Sequence, residues 1–402
     1  MNVLFVHEVD WLKKVVFEIH ELAESLSQFG HNVYAIDFEN SWKRNGNFDF
    51  GSLKTIEFQG IHRIYDDASI TLRRPGFIKL PILDRVSAAF THYYEIDRLV
   101  KEKQIDVIVL YSAPTNGLQT IKIAKKYKIP VIFRSVDILH KLVPVKILRP
   151  VTFRIEKIVY KNVNKILAIT PKLANYVVNC GASPKKVDLL LIGVNTDQFK
   201  PNIDTKICKE KLLLTEHDKI IVFIGTLFGF SGLDNFVEQL PAIIENVPDA
   251  KLVVVGGGYL FEKINKTRSN LQLEDKIILT GFQPFNMMPR YINLAHLCIN
   301  PFLINDTTRD IIPGKIYQYL ACAKPVLATP LEGMKSLISG EDSGIVYSDI
   351  NNFGKNTIAL LNDTQYAATI GEKGRRYCLE NNDRHIMAHK LEKFLREATQ
   401  SV

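Results

Sequence analysis

The sequence predicts an α/β protein made of two doubly wound parallel-sheet domains. Three observations carry that expectation. The chain has 402 residues, enough for two domains at roughly 100 to 200 residues each. Short apolar runs of strand character alternate with amphipathic runs of helical period along its whole length. A polar joint at Asn195–Asp204, containing Pro201, interrupts the alternation once, after which it starts again. With 46% hydrophobic and 23% charged residues, the composition excludes a disordered, collagen-like or coiled-coil chain.

The first series opens with a strand at Val3–Val6. A helix with Ile19, Leu22, Ala23 and Leu26 on one face follows, then Gly30 where a left-handed C-cap fits, then a strand at Asn32–Phe38. That is a βαβ unit. A strand at Val107–Tyr111, a helix through Ile121–Lys126, and strands at Val131–Phe133 and Ile166–Thr170 continue it, and a helix at Lys172–Asn179 stops at Gly181. Residues 71–90 differ from their surroundings: Arg73, Arg74, Lys79 and Arg85 interleave with Phe77, Ile78, Leu80, Ile82 and Leu83. Pro75 and Pro81 forbid one long amphipathic helix there, which leaves a membrane-surface segment and a loop leading into a partly buried helix as the two readings.

The second series runs from a strand at Ile220–Gly225 to a helix at Asp234–Asn246, a strand at Lys251–Val255 and a Gly256-Gly257-Gly258 turn. A strand at Lys276–Thr280, a helix at Met287–Leu294, a strand at Leu297–Asn300, a helix at Lys315–Cys322 and strands at Pro325–Ala328 and Gly344–Val346 complete the sheet pattern. Helices close the chain from Asn352, the last with Leu391, Phe394 and Leu395 on one stripe. The expected domains are residues 1–197, residues 198–380, and a terminal helix, 381–402, returning to the first. Two such domains in tandem are expected to face each other across a cleft at the C-terminal edges of their sheets, where open α/β sheets bind ligands.

No uncharged apolar run reaches the length of a membrane-spanning helix. No basic leader precedes the first strand, so a cytoplasmic protein is expected. Five cysteines, Cys180, Cys208, Cys298, Cys322 and Cys378, form no CxxC pair and read as buried reduced thiols, and no metal-ligand cluster or Ser-His-Asp set stands out. His62 and His92 read as structural or solvent-exposed. Charge is uneven. Residues 101–186 hold 17 Lys and Arg against 4 Asp and Glu, in a chain whose net charge is +8. Such a surface suits anionic lipid, nucleic acid or a phosphate-bearing substrate, or serves solubility alone. No nucleic-acid-binding motif accompanies it, so nucleic acid is not an expected partner.

Phosphate recognition needs backbone N–H groups at helix N-termini, cations, and glycines where the backbone comes close to the ligand. Three places in the second series offer this: the loop Gly225–Gly232, the turn Gly256–Gly258, and Asp310-Ile311-Ile312-Pro313-Gly314-Lys315. The last is the richest. Pro313 and Gly314 lead directly into a helix, Lys315 adds a full charge, and Asp310 and Gln318 stand eight residues apart as acceptors for a hydroxyl-rich ligand.

The stretch from Pro313, with Lys315, Gln318-Tyr319, Ala321, Ala323 and Pro325-Val326, resembles the P-x-K-x-x-E-Y-x-A-x-G-x-P-V region of family 4 retaining glycosyltransferases. Gly30-His31-Asn32-Val33 is similar to their GH-x-V. Gly193-Val194-Asn195 with Phe199-Lys200-Pro201 is similar to GVD…F-x-P, and Gly281-Phe282 with Pro289-Arg290-Tyr291 to G…LP-x-YY. The resemblance spans nearly the whole chain. It implies the two-domain GT-B fold, transfer of a sugar from a nucleotide-sugar donor with retention at the anomeric carbon, and no metal or other cofactor.

By the same resemblance the C-terminal domain holds the donor through Gly225, Thr226, Gly256, Gly258, Phe282, Pro313, Gly314 and Gln318. Asp310 meets the sugar hydroxyls, Gln318 the ribose and Lys315 the diphosphate. The acceptor, a glycan or a lipid-linked molecule, belongs to the N-terminal domain. Asp137 is a catalytic candidate there, with Lys13, Arg134 and His140 beside it; each also reads as a surface charge or helix cap.

The chain departs from the family where it has Thr226 and Ser231 in place of a basic pair, and Gln318 in place of an acid. It also has Asp10-Trp11-Leu12-Lys13-Lys14 in place of a glycine pair. Those losses motivate a different reading, a GT-B-shaped protein that binds a sugar nucleotide or a partner without catalysis. A sugar-nucleotide epimerase of the same architecture is the related enzyme reading, and the landmarks favour transfer. The +13 window and the 71–90 segment lead to the expectation of peripheral attachment at the inner face of an anionic membrane.

Overall fold

The computed structural model describes residues 1–14, 16–39, 49–81, 83–143 and 145–400. Ile82, one of the apolar residues of the mixed segment, lies outside them. The chain forms two compact units, one of residues 1–192 with 385–402, the other of residues 193–384.

The first unit is an eight-stranded sheet. Its strands are β1 (Asn2–Val6), β2 (Asn32–Ile36), β3 (Ile56–Ile61), β4 (Ile70–Arg74), β5 (Val107–Leu110), β6 (Val131–Ser135), β7 (Lys165–Ala168) and β8 (Val187–Leu189). They lie in the order β3-β4-β2-β1-β5-β6-β7-β8, with β3 antiparallel to β4 and the other pairs parallel. Both faces are covered, as a parallel sheet requires. Val3 and Phe5 join one apolar cluster, Leu4 and Val6 the other. The final helix, Arg384–Gln400, closes the first cluster by burying Met387, Leu391 and Leu395 in it.

The second unit is a six-stranded parallel sheet. Its strands are β9 (Lys219–Ile224), β10 (Ala250–Val255), β11 (Ile277–Gly281), β12 (Leu297–Asn300), β13 (Val326–Ala328) and β14 (Ile345–Tyr347), in the order β11-β10-β9-β12-β13-β14. This is the doubly wound order 3-2-1-4-5-6. The expected joint at 195–204 belongs to this unit. The Val194 N–H donates to the Asn382 carbonyl at 2.8 Å and the Arg384 N–H to the Val194 carbonyl at 2.9 Å. The chain's entry into the unit and its exit are thus hydrogen-bonded to each other, and the boundary falls at 192/193 rather than at 197.

The segment 71–90 begins as the end of a strand, and from Pro75 on it is the loop leading into a partly buried helix, Leu83–Lys103, that the second of its sequence readings gives. Arg73 and Arg74 end a strand, β4, next to the edge of the first sheet. Arg73 pairs with Glu57, Glu95 and Glu102 at 2.7, 2.8 and 2.7 Å, and Arg74 with Asp10 at 2.7 Å and with Asp37. Lys79 pairs with Glu39 and Asp49, and Arg85 with Glu8. Its four cations are neutralised within the fold, so they do not form a free basic surface. His92 is buried, its ring nitrogens 2.7 Å and 3.0 Å from the Ala88 and Asp37 carbonyls, whereas the His62 side chain is 44% exposed. All five cysteines are buried thiols. Among the described residues no helix is long and apolar enough to cross a membrane.

Candidate functional site

In a doubly wound sheet the strand order reverses at one point, and loops leaving the neighbouring strands there splay apart to admit a ligand. In the second unit that point lies between β9 and β12. The loop after β9 begins at Gly225 and the loop after β10 at Gly256, both with positive φ, +135° and +145°. The two loops are zipped together. The Gly225 N–H donates to the Val255 carbonyl at 2.9 Å, and the Leu227 N–H to the Gly257 carbonyl at 3.0 Å. A Cβ placed on Gly256 would fall 2.0 Å from the Gly225 carbonyl oxygen. Gly258 is equally constrained, with Leu227 backbone 3.1 Å and Thr226 Cγ2 3.2 Å from its Cβ position. Glycine is required here because two backbones touch.

Lys315 enters the same place from the first turn of the helix Lys315–Ala321. Its Nζ lies 3.7 Å from the Cβ position of Gly225, 3.6 Å from the Phe223 ring centroid and 4.4 Å from that of Phe302. No carboxylate lies within 4 Å of it among the described residues. Burial lowers its pKa well below the ordinary lysine value. A cation stabilised only by two ring faces is under-compensated, and an anion arriving beside Gly225 would relieve it.

The other residues that the resemblance assigns to the donor lie on the elements around the helix Lys315–Ala321 and on the loop after β11. Gln318, one turn further along the helix, is half-buried and has no side-chain hydrogen bond among the described residues. Pro313 and Gly314 precede the helix, the Pro313 carbonyl accepting from the Ile316 N–H at 2.9 Å. Phe282 is 69% exposed, its ring edge 2.9 Å from the Cβ position of Gly257. Asp310 stands on a loop held against the short helix Glu332–Lys335, its carbonyl oxygen 2.3 Å from the Cβ position of Gly333 and the Gly333 N–H donating to the Arg309 carbonyl at 3.0 Å. Ser231, at one of the missing basic positions, is fully buried.

Three residues here escape sequence reasoning. Phe223 and Phe302 look like ordinary apolar positions, and only the strand order shows that they flank one lysine. Asn300 ends β12 fully buried, and its amide has no partner among the described residues. The one sequence signal for it is a polar residue terminating the apolar run Leu297–Ile299.

In the first unit the corresponding reversal lies between β1 and β5, where the chain carries His7, Tyr111 and Ser112, with Ser135 and Asp137 at the end of β6. His7 packs between Phe17 and Tyr111 at 5.7 and 5.5 Å, and its Nδ1 accepts the Val9 N–H at 3.0 Å. Burial, and then the charges of His20 and Lys14, lower its pKa to about 3, so it is neutral near pH 7. The hydroxyls of Ser112 and Ser135 are buried without partners among the described residues. Asp137 is solvent-accessible, yet the protein around it and then the Glu18 carboxylate raise its pKa to about 6.

The expected acceptor-side set is divided by the structure. Lys13 and Asp137 are exposed. Arg134 is buried at 1% exposure, with Glu18 on Nε at 2.8 Å and on a terminal nitrogen at 2.5 Å, and donates to the Leu167 and Leu190 carbonyls at 3.2 and 2.6 Å. Its donors serve the sheet and Glu18, so it does not reach solvent. His140 is held by Glu156, which accepts its backbone N–H and lies 3.2 Å from Nδ1, and by Phe153 against its ring at 4.8 Å.

Comparison with known proteins places these features in a family. Residues 18–198 match the family model described as Glycosyltransferase Family 4, and residues 218–363 match Glycosyl transferases group 1. The chain is 26% identical over 216 residues to the GDP-mannose-dependent alpha-(1-6)-phosphatidylinositol monomannoside mannosyltransferase of Mycolicibacterium smegmatis, covering 52% of this chain and 56% of that one. It is 25% identical over 186 residues to the UDP-Gal:alpha-D-GlcNAc-diphosphoundecaprenol alpha-1,3-galactosyltransferase of Escherichia coli, covering 45% and 46%. The chain thus spans about half the length of the curated relatives it matches. Among solved structures, Anabaena HepE in complex with UDP superposes with a TM-score of 0.74 at 13% identity, over 99% of this chain and 100% of that one, and shows the shared fold.

Proposed function

The chain belongs to the family 4 glycosyltransferases and has their GT-B fold, and we propose that it moves a sugar from a nucleoside diphosphate donor to a glycan or lipid-linked acceptor, with retention at the anomeric carbon and no metal. The carrying observation is Lys315, an unpaired, partly dehydrated cation beside the touching backbones of Gly225 and Gly256. Breaking the bond between sugar and diphosphate leaves an added negative charge on the leaving oxygen. A donor fixed in advance stabilises that charge more than the ground state, which is what accelerates transfer. Lys315 and the backbone N–H groups around Gly314 take this role, while the Gly225 N–H stays committed to the Val255 carbonyl and its glycine only lets the ligand come close.

Gln318 then meets the ribose, Asp310 the sugar hydroxyls and Phe282 the edge of the donor. On the acceptor side Lys13 and Asp137 are the exposed candidates, Asp137 as a carboxylate above about pH 6 that accepts a hydrogen bond from the attacking hydroxyl. Retention and independence of metal rest on the family resemblance. A lipid-linked acceptor is supported by the two relatives above, which act on a phosphatidylinositol mannoside and a diphosphoundecaprenol sugar.

Thr226 and the buried Ser231, where the family pattern has cations, favour a second reading in which the site binds sugar nucleotides without turnover. Titration calorimetry with UDP and GDP, followed by mass-spectrometric donor hydrolysis over a panel of sugar nucleotides, separates the two. Transfer predicts that Lys315→Ala and Asp310→Ala each lower turnover by roughly a hundredfold or more with the circular dichroism unchanged. Wild-type binding without hydrolysis supports the second reading, and near-normal rates in both variants overturn the site.

A further inference from the structure

The cations of residues 71–90 are paired within the fold; those of residues 141–157 are not. The helix Arg149–Asn162 packs inward through Thr152, Glu156, Val159 and Tyr160. The segment before it consists of the helix Leu139–Leu142 and a 3-10 turn, Lys146–Leu148. Polar contacts hold it down. Glu156 accepts the His140 N–H and the Tyr176 hydroxyl, and Arg149 donates to the Val143 carbonyl at 3.0 Å. Leu139 packs against the sheet core, but four apolar side chains of the stretch project outward: Leu142 is 60% exposed, Ile147 81%, Leu148 50% and, in the first turn of the following helix, Val151 53%.

The same stretch carries Lys141, Lys146, Arg149, Arg154 and Lys157 against one acidic residue, Glu156, which is buried. None of the five has a carboxylate within 4 Å among the described residues. We propose that residues 141–143 and 145–158 form the surface by which this protein docks on an anionic lipid bilayer, the exposed aliphatic side chains entering the interface and the cations meeting lipid phosphates. Charge complementarity selects this occupant. The face has five cations and no exposed anion, and long basic side chains beside protruding aliphatics are what a charged interface accommodates. A nucleic acid backbone would use the cations but leave Ile147 and Leu148 against water. The proposal is independent of the chemistry at Lys315, because vesicle binding is read without turnover.

Co-sedimentation of the full chain with phosphatidylglycerol–phosphatidylcholine vesicles tests it, against pure phosphatidylcholine and a homopolymeric RNA. The wild type should partition to the anionic vesicles, and Lys146→Glu with Arg154→Glu should weaken this by roughly tenfold or more. Ile147→Ser with Leu148→Ser should abolish the fraction of binding that survives high salt. Lys206→Glu with Lys266→Glu, exposed positions in the second unit, should bind as the wild type does. Circular dichroism and UDP titration of each variant confirm an intact fold. Indifference of the wild type to anionic lipid, binding to RNA alone, wild-type partition by both 141–158 variants, or an equal loss in the second-unit variant would each overturn the assignment.

Discussion

Lys315 illustrates how a residue proposed to bind a ligand can weigh against the stability of its own fold. Its pKa is lowered by burial, while the unfolded chain holds the proton up to about 10.4. Between those two values the unfolded state binds more protons, so stability rises with pH across that window. Replacing Lys315 by Met removes the cost of burying a charge, and urea unfolding at pH 7 should show the variant more stable than the wild type. The advantage should shrink as the pH is raised through the alkaline range, and UDP binding should be lost at every pH. Lysine was legible at this position because Pro313 and Gly314 announce a helix start. Its setting was not, because Phe223, Phe302 and Lys315 are far apart in sequence and meet only through strand order. Arg134 shows the converse: a cation in a promising loop whose partner, Glu18, lies on another element, so that its burial cannot be read locally.

At the scale of elements, the parallel strands were legible wherever an apolar run is followed by a helix and a glycine, as at β1, β9 and β10. Strands β3 and β4 were not. β4 ends in Arg73 and Arg74, and β3 is largely exposed, with Ile56 at 55%, so neither shows an apolar period. What permits arginine there is a set of acids drawn from Asp10, Asp37, Glu57, Glu95 and Glu102, none of which is a sequence neighbour. The zipped loops after β9 and β10 carry their own prediction. Gly256→Ala places a methyl 2.0 Å from the Gly225 carbonyl oxygen at a φ of +145°. Overpacking of this kind costs about 1 to 3 kcal/mol, and the forced backbone shift adds to it. Denaturant unfolding should register that loss, and calorimetry should show UDP affinity falling with it. Gly314→Ala, which meets nothing within 4 Å, should leave stability nearly unchanged.

For the whole molecule the salient fact is connectivity. The chain leaves the first unit at Ile192, builds the second, and returns at His385 to complete the first. The returning helix supplies Met387, Leu391 and Leu395, with the smaller Ala388 and Ala398, to a core whose other buried members lie in the first 190 residues. A chain ending at Arg384 should therefore lose the unfolding transition of the first unit, exposing apolar surface to a hydrophobic dye, while the second unit keeps its own transition in calorimetry. Loss of three such side chains at about 1.5 to 3 kcal/mol each exceeds much of the usual margin of a domain. The same connectivity has a consequence for biosynthesis. A ribosome adding about 5 to 20 residues per second needs roughly 10 to 40 s to make the 192 residues from Gly193 to Arg384. Throughout that interval the nascent first unit carries an uncovered greasy stripe, exposed to aggregation until the helix Arg384–Gln400 emerges to cover it.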